Sequence, residues 1–259
     1  MASYLEIERA DKVVTVRLNR PDKHNAFDEQ LIAELTQAFR DLAADRAARI
    51  VVLTANGPSF SAGADLGWMK RMSTLSRAEN ERDSLLLADL MAAIDGCPKP
   101  VIALVQGAAF GGGVGLVACC DIAIASTRAT FSLSEVRLGL IPAVISPYVA
   151  AAIGPRACRR YFLTAERFDA ETAERLGLVQ RVVEPEALGV AGDEIVEHLL
   201  KGGPNALAAA KDLIRRVSFA PLDQALRSET AARIAETRAT DEGKEGIAAF
   251  LEKRKPNWS

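Results

Sequence analysis

GAAFGGGVGLVACCDIAIASTRATFSLSEVRLGL, residues 107–140, holds the pattern that decides the fold. Gly111-Gly112-Gly113 falls where an apolar strand gives way to an apolar helix, and Ile122–Ala125 reads as the next buried strand. Strands separated by helices imply parallel crossovers and layered α/β packing. Backbone N–H groups at the start of such a helix have no intrahelical acceptor, so they can face a developing negative charge. Further on, Glu135 stands among Phe131, Leu133, Val136, Leu138, Leu140 and Ile141. A carboxylate desolvated by such neighbours holds its proton more tightly and suits general acid–base work. Taken alone, the glycines are equally explained by close packing, and Ser134-Glu135 reads as a helix cap. Together they suggest proton chemistry beside a carbonyl that must bear charge.

Outward from this stretch the same alternation continues. Tyr4–Glu8 and Val13–Asn19 alternate apolar and polar residues as half-buried strands do. Asp28 can cap a helix to about Ala43, with Phe27, Leu31, Leu35 and Phe39 at helical spacing. Ile50–Leu53 is a short apolar strand entering the loop Ala55–Ala64, Asn80–Asp95 reads as a helix, and Val101–Val105 is another buried strand. Beyond residue 146 helical patterns cover 155–163, 170–176, 186–201, 204–216, 221–237 and Asp241–Lys253, with Val179–Val183 the one strand candidate. Lys201-Gly202-Gly203-Pro204 reads as a helix break.

Composition narrows the function. A chain of 259 residues with net charge −2 has no global basic field to recruit nucleic acid or anionic membrane. Val101–Cys120 has Gln106 as its only polar side chain, but Gly107, Gly111, Gly112, Gly113 and Gly115 break a lipid-facing helix, so a buried strand, turn and core helix explain it better. The N-terminus MASYLEIERADK lacks a secretory pattern, and Cys97, Cys119, Cys120 and Cys158 show no CxxC spacing; they read as reduced core residues of a cytoplasmic protein. With only two histidines a His-rich metal centre is disfavoured. The glycine run does not match GxGxxG, which disfavours a dinucleotide site. A second small-residue loop, Phe60-Ser61-Ala62-Gly63-Ala64-Asp65-Leu66, also follows a buried strand and precedes a helical stretch, Trp68–Met72. Two such turns resemble a two-donor oxyanion hole.

In this order, Asn19-Arg20-Pro21 with Asn25-Ala26, SAGADL at 61–66, QGAAFGGG at 106–113, ACCDIAIA at 118–125, SEVRLGLIP at 134–142 and LTAERFDAETAERLGLV at 163–179 resemble the crotonase family, the enoyl-CoA hydratase/isomerase superfamily. The resemblance implies an α/β, ClpP-like crotonase fold. Its stacked β-sheet core of ββα units would cover residues 1–200, and a helical C-terminal trimerisation region residues 201–259. It implies that the N–H groups of Ala64 and Gly112 form an oxyanion hole for a CoA-thioester carbonyl, with Glu135 as the catalytic acid. Ala62, Ala64, Asp65, Leu66, Gly67 and Gly112 would line the acyl-CoA site, and Lys23, Asn25 and Ala26 would hold its nucleotide end. CoA would be part of the substrate, with no metal or other cofactor, no nucleic-acid or membrane partner, and self-association as a trimer or dimer of trimers.

One departure matters. Hydratases of this family typically carry a first glutamate on the glycine-led helix, where this chain has Gly115. SAGADLGWM, VQGAAFGG, GLVACCD and LSEVRLGLIPAVISP resemble more closely the bacterial 3-methylglutaconyl-CoA hydratases of leucine breakdown and the isohexenylglutaconyl-CoA hydratases, whose glycine at this position matches. Their substrates carry a second carboxylate, for which Lys70, Arg71 and Arg137 are candidate cations. The expected activity is reversible hydration of a branched 2,3-enoyl-CoA. A Δ3-Δ2 enoyl-CoA isomerase using Glu135 alone, or a non-catalytic acyl-CoA-binding paralogue, are the alternatives.

Overall fold

Alternation at the N-terminus folds as a hairpin: Leu5–Ala10 (β1) runs antiparallel to Val13–Leu18 (β2), in which every second residue is buried. The structure, a computed structural model, describes residues 3–258. The Asp28 side chain accepts from the Leu31 N–H and starts α1 (Glu29–Ala44), which leads to the wholly buried β3 (Ile50–Ala55). A short strand β4 (Ser59–Ser61) enters α2 (Leu66–Met72), and a Ser76/Glu79 capping box starts α3 (Arg77–Asp95). Then come β5 (Val101–Val105), β6 (Ala108–Phe110), α4 (Gly112–Cys119), β7 (Ile122–Ser126) and β8 (Thr130–Ser132). After α5 (Ser146–Thr164), β9 (Phe168–Asp169), α6 (Ala170–Leu176) and β10 (Arg181–Val183) the chain is helical: α7 (Leu188–Leu200), α8 (Pro204–Val217), α9 (Gln224–Ala239) and α10 (Asp241–Leu251).

Two sheets form, ordered β1-β2-β3-β5-β7-β10 and β4-β6-β8-β9. From β2 onward the larger sheet is parallel, and its inner strands β3, β5 and β7 are covered on both faces, which is why they read as nearly continuous apolar runs. The hidden period of two survives in the packing. Val51 and Leu53 join the main core, whereas Ile50, Val52 and Ile102 meet Ile195, Val196 and Leu199 of α7. The apolar stretch 101–120 divides into β5, β6 and α4, and among the described residues no helix is long and apolar enough to cross a membrane. All four cysteines are free, and Cys97, Cys119 and Cys158 are buried.

The sequence reading lacks β4, β6, β8 and β9, whose two or three residues are too short to show a period. It also starts α5 too late. Helical structure begins at Ser146 and is interrupted at Gly154, φ +74°, just before Pro155. The last strand begins at Arg181 rather than Val179, because the Leu178 and Val179 N–H groups still turn back to Ala173 O of α6.

Arg49, at the rim of the larger sheet, is one of the side chains that tie the C-terminal helices to it, with Lys12 on Trp258 O and Lys211 on Asp121. Arg49, just before β3, donates to the carbonyls of Trp258 (2.7 Å), Leu200 (3.2 Å) and Gly202. Arg49→Met keeps the apolar stem but takes the donor from Leu200 O and Gly202 O, while Trp258 O keeps Lys12 Nζ, so it should lower unfolding free energy by about 2–3 kcal/mol. Urea denaturation with an unchanged m-value is the check.

Candidate active site

The two small-residue turns lie side by side because the strands that feed them, β4 and β6, are parallel neighbours. Gly63 has φ +88°, and a Cβ there would meet Phe110 O at 3.0 Å and Gly111 Cα at 4.0 Å, so the turns pack backbone against backbone. Phe27 fixes the first turn: its N–H donates to Gly63 O (2.7 Å) and its carbonyl accepts from Asp65 N–H (2.8 Å). This bridge passes over Ala64 and leaves its N–H free of the pairing. The same Phe27 reaches the second turn with its ring, since a Cβ on Gly112 would stand 2.9 Å from Cε2. Gly112 opens α4, where an N–H has no acceptor within the helix. Among the described residues neither the Ala64 nor the Gly112 N–H has a hydrogen-bond partner, whereas Gly111 N–H donates to Ser132 O at 2.9 Å.

Glu135 comes to this spot on the single 3-10 turn Glu135–Leu138. Its Oε1 lies only 3.1 Å from where a Cβ on Gly111 would be, and Gly111 sits at φ +50°. Any side chain at 111 would therefore be strained and would push the acid away. The other oxygen, Oε2, is buried with no hydrogen-bond partner. Burial pushes the Glu135 pKa up, offset only in part by its own backbone N–H. The site thus joins unpartnered amides to a carboxylate that is poorly solvated as an anion and so takes up a proton readily.

Gly115 lies one turn after Gly111 on the same face of α4. A Cβ there would stand 2.3 Å from Ile145 Cγ2, 2.9 Å from Ile145 Cβ and 3.3 Å from Met91 Cε. The place where a first glutamate would begin is filled by hydrocarbon, so Glu135 has no second carboxylate beside it on this helix. Neither Ile145 nor Phe27 was singled out for the site from sequence, because what each does depends on a contact with a distant glycine.

The remaining expected residues divide by exposure. Lys23, Leu66 and Gly67 are exposed, and Ala64 opens to solvent beside them. Asn25 and Ala26 are buried. The Asn25 side chain accepts from Arg20 N–H (2.8 Å) and donates to Asn56 O and Ser59 O (2.9 Å each), so it shapes the loop rather than reaching outward. Ala62 N–H donates to His24 O at 2.9 Å, and Asp65 caps α2 through Gly67 and Trp68. Among the cations, Arg71 is held by both oxygens of Glu29, while Lys70 and Arg137 have no ion pair among the described residues.

A family model described as enoyl-CoA hydratase/isomerase matches residues 8–259. The chain is 34% identical to the short-chain-enoyl-CoA hydratase of Clostridium acetobutylicum, over 96% of this chain and 95% of that one. It is 34% identical to the crotonyl-CoA hydratase of Syntrophomonas wolfei, over 97% and 96%. Among solved structures, an enoyl-CoA hydratase from Shewanella pealeana superposes with a TM-score of 0.96 at 47% identity, covering 98% of this chain and 96% of that one.

Proposed function

The chain belongs to the enoyl-CoA hydratase/isomerase family, and on that premise we propose that it reversibly adds water across the 2,3 double bond of an enoyl-CoA thioester, with a branched glutaconyl group such as 3-methylglutaconyl as the acyl part. The reading is carried by one observation: two unpartnered amides, Ala64 and Gly112, in touching turns, with the desolvated Glu135 carboxylate against Gly111. The thioester oxygen accepts from both amides. As water oxygen bonds to C3, the π pair shifts and charge gathers on that oxygen, where preorganised donors act most strongly. Glu135 takes the proton from the attacking water and returns it to C2, so one water O–H bond breaks while C3–O and C2–H bonds form. The carboxylate is regenerated, and no cofactor beyond the CoA of the substrate takes part.

Arg137, two positions past Glu135 and without an ion-pair partner among the described residues, is the cation proposed for the distal carboxylate of a glutaconyl group. Self-association as a trimer or dimer of trimers belongs to the same proposal. Phe219, Leu222 and Phe250 in the C-terminal helical region are 84%, 94% and 83% exposed, large apolar side chains suited to burial against further copies.

The hydrocarbon at Gly115 supports a second reading, an isomerase in which Glu135 moves one proton between C2 and C4. Turnover of crotonyl-CoA and 3-methylglutaconyl-CoA in heavy-oxygen water separates the two. Hydration puts one heavy oxygen into a 3-hydroxyacyl product. A shifted double bond without label overturns hydration in favour of isomerisation, and tight acyl-CoA binding with no turnover of any enoyl-CoA overturns both.

A further inference from the structure

Arg20 meets the site through Asp65 and Ala26, and its partners are the residues that shape both sides of it. Its guanidinium is 13% exposed; Nη1 pairs with Asp28 Oδ2 (2.9 Å) and Nη2 with Asp65 Oδ2 (3.2 Å). Each aspartate uses its other oxygen as a helix cap. Asp28 Oδ1 accepts from Leu31 N–H of α1 at 3.0 Å, and Asp65 Oδ1 accepts from Gly67 N–H (2.7 Å) and Trp68 N–H (3.1 Å) of α2. Nη1 also donates to Ala26 O at 3.0 Å, and the plane lies 4.8 Å over the Tyr4 ring. One planar fork therefore joins the start of α1, the start of α2 and the 23–28 loop. Ala64 is the residue immediately before the cap that Arg20 grips, and its bridge partner Phe27 is the residue immediately before the other.

Resting on the hydration reading, we propose that Arg20 is the positioning residue for the Ala64 amide, coupling the loop offered to CoA with the donor offered to the thioester oxygen. Lysine lacks the fork needed to hold two carboxylates at fixed angles. Asn19-Arg20-Pro21 was legible as a motif, but its role depends on pairings eight and forty-five positions away.

The test combines kinetics with a bound chromophore. For Arg20→Gln, kcat on crotonyl-CoA should fall about 10- to 100-fold, the scale expected when a reacting partner is misplaced by an ångström. KM should stay within about threefold, since Asn25 still holds the CoA loop through Arg20 N–H, Asn56 O and Ser59 O. Bound 2,4-hexadienoyl-CoA should show a red-shifted absorbance in the wild type, because its carbonyl is polarised by the two amides, and a smaller shift in Arg20→Gln. Arg20→Lys should recover part of both. Asp65→Asn keeps a helix cap while discharging the ion pair, and it gives the same trend if Arg20→Gln does not fold. A wild-type red shift and kcat in the folded Arg20→Gln or Asp65→Asn protein overturn the proposal, as does a loss confined to KM. Absence of any red shift in the wild type instead sinks the oxyanion reading, and the positioning role with it.

Discussion

Glu135→Gln is expected to lower kcat on enoyl-CoA substrates by about 10²–10⁴-fold, the range lost with a positioned general acid–base. KM should change little, because glutamine keeps the shape of the side chain and the amides of Ala64 and Gly112 are untouched. In the wild type Glu135 must be ionised to accept a proton from water. Burial raises its pKa, so the acidic limb of kcat/KM should lie above the ordinary carboxylate range, with activity falling as pH drops through it. That limb should vanish in Glu135→Gln.

Stability should move the opposite way. A carboxyl whose pKa is raised in the folded state favours folding when protonated, below the ordinary range, and that contribution is lost as pH rises through the folded value. At neutral pH the buried charge, with Oε2 lacking any partner, works against the fold. Glu135→Gln should therefore be at least as stable as wild type at pH 7 and show no such advantage near pH 4, which urea titrations at the two pH values measure. A variant with intact turnover removes the acid from the mechanism; one destabilised at pH 7 makes Glu135 a structural residue.

The difference between what was legible and what was not follows from the range of the interactions. Ile50–Leu53 and Val101–Val105 were legible because a doubly covered parallel strand is apolar on both faces, although β3 runs on through Thr54 to Ala55, and the start of α1 because Asp28 caps it locally. Glu135 stood out because six residues near it in sequence are apolar, although Leu138, Leu140 and Ile141 prove to be 58%, 53% and 72% exposed, so half of that apolar setting faces solvent. The small sheet was invisible, since strands of two or three residues carry no period, yet this sheet sets the two turns side by side. Asn25 was legible as part of a motif but not as an internal hydrogen-bonding hub, and Arg20 not as a clamp. Both roles are made by pairings between segments far apart in the chain.

The absent first glutamate gives the other large effect. Gly115→Glu should destabilise the protein by about 3–5 kcal/mol without adding activity. Its Cβ alone would lie 2.3 Å from Ile145 Cγ2, and Ile145 and Met91 are 3% and 0% exposed, so neither can swing into solvent. Overpacking a filled core costs about 1–3 kcal/mol, and a carboxyl buried there without a hydrogen-bond partner adds about 1–3 kcal/mol. Combining Gly115→Glu with Ile145→Ala removes the Cγ2 clash and leaves the Ile145 Cβ contact at 2.9 Å and the Met91 Cε contact at 3.3 Å. The pair should therefore be more stable than the two separate losses predict, with a coupling of about 1 kcal/mol or more, as expected for residues in contact. Equal stability of Gly115→Glu and wild type would mean that Ile145 yields freely, so that glycine at 115 is not what packing demands and a two-carboxylate site lies within reach of one substitution.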